Sequence, residues 1–61
     1  MKLTQALQLH KGDEVIVKKK NQYTSEWIGT VVETEITEVD GKKYVNIMLE
    51  DGNWYGYKEV K

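Results

Sequence analysis

Two Asp-Gly dipeptides, Asp40-Gly41 and Asp51-Gly52, each stand between runs rich in β-branched and aromatic residues. Asp-Gly in that setting is a strong hairpin signal, because both central positions of a type I′ turn need positive φ and these residues tolerate it. Two such turns make a three-stranded meander from about Glu26 to Tyr57 in a chain of 61 residues. Little chain remains for anything else.

The segment before the meander supplies an arm and one strand. Leu3, Ala6 and Leu7 follow the i, i+3, i+4 spacing of a helical turn that Thr4 is placed to cap. A stretch this short is not stable alone, so residues 1–10 read as a helical turn or a plain arm on the barrel. Gly12-Asp13 then makes a turn into a strand with Val15 and Val17 on one face and Glu14, Ile16 and Lys18 on the other. A polar loop, residues 19–25, leads to a long second strand, 26–39. Gly29 inside that strand marks a bulge or a close backbone approach.

Register follows from the turns. A two-residue loop at Asp40-Gly41 opposes Val39 to Lys42, Glu38 to Lys43, Ile36 to Val45, Thr34 to Ile47 and Val32 to Leu49. A slip of one residue would mix the two faces, so this register wins. A two-residue loop at Asp51-Gly52 opposes Leu49 to Trp54 and Met48 to Tyr55; a three-residue loop with a bulge opposes Leu49 to Tyr55 and turns Trp54 outward. The first is preferred because it buries the largest apolar side chain. The expected core is Val15, Val17, Val32, Ile36, Val45, Ile47, Leu49 and Trp54. After Trp54 a 3₁₀ turn and a last short strand near Glu59-Val60 complete an all-β, small five-stranded SH3-like barrel over residues 11–61, the whole chain being one domain.

Lys11-Gly12-Asp13, Val15 and Val17, with Gly29 and Val31, resemble the opening of KOW and related SH3-like domains, although Lys18-Lys19-Lys20 stands where a glycine is usual. Glu50-Asp51-Gly52-Asn53-Trp54-Tyr55 looks like a Tudor-type hairpin. Gly12-Asp13, Lys18-Lys19, Trp27 and Gly29 are also similar to the plasmid-borne type II dihydrofolate reductases. That family carries a Val-Gln-Ile-Tyr run, whereas this chain reads Asn53-Trp54-Tyr55-Gly56-Tyr57. The resemblances imply a small barrel and speak against the reductase activity.

Chemistry is sparse. Without cysteine there is no disulfide, thiolate metal cage or thiol nucleophile. The single histidine, His10, has no partner at metal-ligand spacing, and the single serine, Ser25, sits in a polar loop without an orienting third group. Glu33 and Glu35 share a strand face with carboxyls roughly 7 Å apart, but nothing apolar stands beside them to raise a pKa. They read as a solvated face that guards a strand edge. No glycine-rich phosphate loop is present. The expectation is therefore a non-catalytic protein with no cofactor and no metal.

Binding surfaces remain. The outward side of the meander, in the preferred register, gathers Tyr44, Met48, Tyr55 and Tyr57, with Val31 nearby. Exposed Tyr and Met in one cluster suit a protein interface, unless Leu3, Leu7 and Leu9 of the arm cover them. The leading expectation is a protein-binding module acting through that face on an unidentified partner or on itself, with a monomer favoured over a homodimer. The alternative is a weak nucleic-acid binder using Lys18, Lys19, Lys20, Tyr23 and Trp27, lysines tracking phosphates while an aromatic ring stacks on a base. Net charge is −1, and all nine basic residues are lysine. That excludes a dominating basic field and the bidentate base contacts of arginine. The N-terminal stretch has no continuous apolar core of a signal peptide, and no run approaches the roughly 20 residues that cross a bilayer. The chain is expected in the cytoplasm, away from membranes.

Overall fold

β-Branched residues dominate 27–39, and they form a single long strand in the computed structural model, which describes Met1–Lys61. The elements in order are α1 (Leu3–Ala6), β1 (Glu14–Val17), β2 (Trp27–Val39), β3 (Lys42–Leu49), β4 (Trp54–Gly56) and a 3₁₀ turn, Tyr57–Glu59. The four strands make one antiparallel, curled sheet in the order β1-β2-β3-β4. The fold is all-β. No helix is long and apolar enough to cross a membrane.

The β2–β3 hairpin forms in the register expected from its turn. Asp40 and Gly41 take φ of 52° and 76°, as a type I′ turn demands. Val39 opposes Lys42, Glu38 opposes Lys43, Ile36 opposes Val45 and Thr34 opposes Ile47. Beyond Glu33 the register shifts, and Val31, not Val32, opposes Leu49. Val32 is the extra residue of a β-bulge, which reverses the inside–outside parity of everything before it. Val31, expected outward, is thus fully buried, and Val32, expected in the core, lies outside. Gly29 is not the bulge but the close approach: a Cβ there would lie 2.7 Å from Leu49 Cδ1 and 2.9 Å from Trp27 Cζ3.

The second hairpin corrects the expected register. Leu49 N–H donates to Asn53 O at 3.1 Å, Met48 opposes Trp54 and Ile47 opposes Tyr55. The loop is therefore Glu50-Asp51-Gly52, with only Gly52 at positive φ (83°). This is neither of the two expected pairings, and side-chain chemistry explains it. The Asp51 carboxylate accepts from Asn53 N–H at 3.0 Å, from Asn53 Nδ2 at 3.1 Å and from the Tyr55 hydroxyl at 2.6 Å. These bonds hold Asp51 as a turn residue that closes on its own backbone, in place of a type I′ position. Trp54 consequently faces out, 43% exposed, and is no core residue.

The core is Ala6, Val15, Val17, Val31, Val45, Ile47, Leu49 and Val60, with Met1, Leu3, Leu9, Trp27, Tyr55 and Tyr57 packed around it. Ile36 keeps its partner Val45 yet is 55% exposed. β1 has four residues against thirteen in β2, so no strand pairs with β2 on that side along the far half of the hairpin. That half projects from the body, consistent with extents of 36 × 24 × 18 Å.

The arm belongs to the core. Ala6 is buried, and Lys2 N–H, not Thr4, marks the helix start by donating to Gln5 Oε1 at 3.3 Å. The chain after the 3₁₀ turn returns to β1. Val60 bridges Val17, Lys61 N–H donates to Ile16 O at 2.7 Å and Lys18 N–H donates to Glu59 O at 3.0 Å. The expected fifth strand is reduced to this one bridge and its flanking bonds.

Candidate functional site

The four residues expected to share one binding face do not stay together. Strand alternation puts Tyr44, Asn46 and Met48 of β3 on the side away from the core, and Val45, Ile47 and Leu49 toward it. Tyr55, opposite Ile47, joins the core side and packs edge-on against Trp27, with ring centroids 6.0 Å apart at 70°. Met48 stays outside but beside Trp54. Only Tyr44 and Tyr57 remain paired, with centroids 4.9 Å apart and planes at 59°.

Gly56 makes that pair possible. It opposes Asn46 at the edge of β4, and a Cβ there would overlap the Tyr44 hydroxyl and come within 2.9 Å of its Cζ. The tyrosine ring lies over bare backbone. Gly56 N–H in turn donates to Glu59 Oε2 at 2.7 Å, which tightens the 3₁₀ turn and sets Tyr57 beside Tyr44.

A groove of about 840 Å³ opens between this aromatic pair and the projecting hairpin tip. Leu3, Tyr44 and Tyr57 supply apolar surface, while Lys42, Lys43 and Lys58 stand on its walls with Asp40 as the single acid. Three lysines against one aspartate make this a positive recess on a chain of net charge −1. Of the arm, only Leu3 reaches the groove, so the tyrosines are half-buried and not covered. Sequence reasoning missed the three lysines as a group because Lys42 and Lys43 open β3 while Lys58 lies in the 3₁₀ turn, and only folding brings Lys58 to the other two.

The second expected set is also divided. Lys18, Lys20 and Trp27 line a smaller recess of about 250 Å³, together with Tyr55, Thr24 and Ser25. Lys19 does not line it. Tyr23, 86% exposed, projects from a turn held by Asn21 Oδ1, which accepts from Tyr23 N–H at 2.8 Å, and by Thr24 Oγ1, which accepts from Lys20 N–H at 2.9 Å. The aromatic wall of this recess is the Trp27–Tyr55 pair, with Tyr55 turned to the core side and not outward as expected. Lys18 Nζ donates to Lys58 O at 3.1 Å. His10 and Ser25 are exposed, as are Glu33 and Glu35 on the outer face of β2.

The Asp51–Tyr55 bond is the electrostatic signature of this end of the molecule. Tyr55 O–H holds the Asp51 carboxyl below the ordinary aspartate range, helped by Asn53, and the same bond pushes the Tyr55 phenol up. Asp51 therefore adds stability that is present above the ordinary aspartate pKa and lost as pH falls through its folded value. For Tyr55 the stabilisation is present below the ordinary phenol pKa and lost as pH rises through the raised one. Asp51→Asn should lower the Tyr55 titration toward the ordinary phenol range, leaving the part of the rise that burial causes. Ultraviolet difference titration of the tyrosinates reads this directly, and an unmoved Tyr55 would show that the bond does not hold in solution.

No family model matches the chain, and no curated protein or solved structure matches it either.

Proposed function

We propose that this chain is a non-catalytic, SH3-like module that binds an extended acidic segment of a partner protein in the Tyr44/Tyr57 groove. The curled antiparallel sheet, the 3₁₀ turn after β4 and the return of Val60 to β1 support the barrel reading. The observation that carries the function is the groove itself: an aromatic and aliphatic floor ringed by Lys42, Lys43 and Lys58. Tyrosine offers a rigid, amphipathic contact at low entropic cost, and the lysines select carboxylates on the peptide flanking an apolar anchor.

A capped peptide of alternating glutamate and leucine tests the reading. It should shift the ring resonances of Tyr44 and Tyr57, and Lys42→Glu with Lys58→Glu should weaken binding about tenfold. Ring shifts confined to Trp27 and Tyr55, or binding indifferent to both lysine reversals, would reject it.

The convergence of Lys18, Lys20, Trp27 and Tyr55 on one recess favours a second reading, a weak binder of single-stranded nucleic acid. Under it, affinity for an oligonucleotide falls steeply with salt and the Trp27 signals move. Absence of oligonucleotide binding at low salt removes this reading.

A further inference from the structure

The projecting half of β2 has no neighbour on the side away from β3. β1 pairs as far as Thr30, and Asp13 and Gly12 then bond Val31, the Val31 N–H donating to Asp13 O and the Gly12 N–H to Val31 O, both at 2.8 Å. From Glu33 to Val39 the only pairing partner is β3. Val39 and Lys42 flank the two-residue turn and so exchange backbone bonds; alternation then points the N–H and C=O of Thr34, Ile36 and Glu38 outward along a free edge. Such an edge is a template for another strand.

Its side chains specify what can lie there. Glu33 and Glu35 occupy one face, Ile36 and Glu38 the other, and no basic residue occurs between Val32 and Val39. Ile36 is 55% exposed. We propose that this edge takes up an extended segment of a partner protein in which basic and apolar residues alternate, adding it as a strand beside β2. Period-two alternation sets the basic side chains against Glu33 and Glu35 and the apolar ones against Ile36. Backbone bonds to Thr34, Ile36 and Glu38 supply affinity, and the carboxylates supply selectivity and orientation. A second copy of this chain is a poor occupant, because antiparallel β2–β2 pairing brings the Glu33, Glu35 and Glu38 carboxylates of both copies into one ladder. The surface is distinct from the tyrosine groove and does not depend on it.

Amide exchange followed by NMR, with a short peptide of alternating lysine and valine, is the test. Binding should slow exchange at Thr34, Ile36 and Glu38, the outward amides, while Glu35 and Thr37 are already bonded to β3. Glu33→Lys with Glu35→Lys should weaken the lysine peptide about tenfold and strengthen binding of a glutamate–valine peptide. The same lysine peptide with N-methylated backbone should not bind. No binding, unchanged exchange at the three amides, or indifference to N-methylation would overturn the proposal. So would sedimentation equilibrium showing the chain alone dimerising with those same amides protected.

Discussion

Ile47→Ala should lower the free energy of unfolding by about 2–5 kcal/mol, read from urea denaturation followed by tryptophan fluorescence. Ile47 has no exposure and stands at the centre of β3, opposite Thr34 on one side and Tyr55 on the other. A domain of this size has a total stability on the order of 3–9 kcal/mol at typical values per residue, so the variant loses a large share of it. The buried core to which Ile47 belongs is otherwise five valines, Leu49 and Ala6, mostly short side chains with little reach into the space. Ile47→Val should cost far less, about 0.5–1.5 kcal/mol, and remains folded for comparison. Ile36→Ala serves as the internal contrast: its register is as well defined, but it is exposed, and its loss should be a fraction of that at Ile47. Equal losses at Ile36 and Ile47 would mean that the projecting hairpin folds back onto the body in solution.

Gly56→Ala should cost about 1–3 kcal/mol although it adds one methyl group. The new Cβ overlaps the Tyr44 hydroxyl and crowds Cζ and Cε1 at 2.9 and 3.1 Å. Tyr44 is not free to swing aside without leaving Tyr57, and Gly56 itself is held between Asn46 and the Glu59 carboxylate. Strain at this position therefore displaces the aromatic pair that floors the groove. Two signatures separate this from a generic loss of stability. Tyr44→Ala should relieve most of the Gly56→Ala cost, so the double variant is less destabilised than the sum of the singles. The Tyr44 ring shifts should change in Gly56→Ala even where the core resonances of Val45 and Leu49 do not. Additive costs would show that Tyr44 does not lie over Gly56.

How much of this was legible beforehand depends on the range of the interaction that decides each feature. At Asp40-Gly41, local backbone preference dictates the turn, and the turn dictates the pairing of Val39 with Lys42 through Thr34 with Ile47. Asp51-Gly52 reads identically as a dipeptide but folds differently. Tyr55, four residues on, has a hydroxyl that reaches the Asp51 carboxylate, and no local preference reports that reach. The consequence is large, since it moves Tyr55 to the core side, leaves Trp54 exposed and dissolves the expected tyrosine face. The bulge at Val32 acts in the same way, with one unpaired residue exchanging the environments of Val31 and Val32.

The candidate sites show the same division. Their residue types, tyrosines, lysines and Trp27, are visible in the sequence, but their grouping is not. Lys42 stands on the same face of β3 as Tyr44, whereas Lys58 belongs to the 3₁₀ turn and joins them beside Tyr57, which Gly56 lets close against Tyr44. By itself the sequence determined an all-β meander, the first hairpin register and the inward faces of β1 and β3, because period-two alternation and positive-φ turn residues act over a few positions. Tertiary structure alone decided which apolar residues are covered, since cover depends on where β1 ends relative to β2. It also decided which aromatics meet, since that depends on a hydroxyl reaching a carboxylate and on a backbone left bare at Gly56.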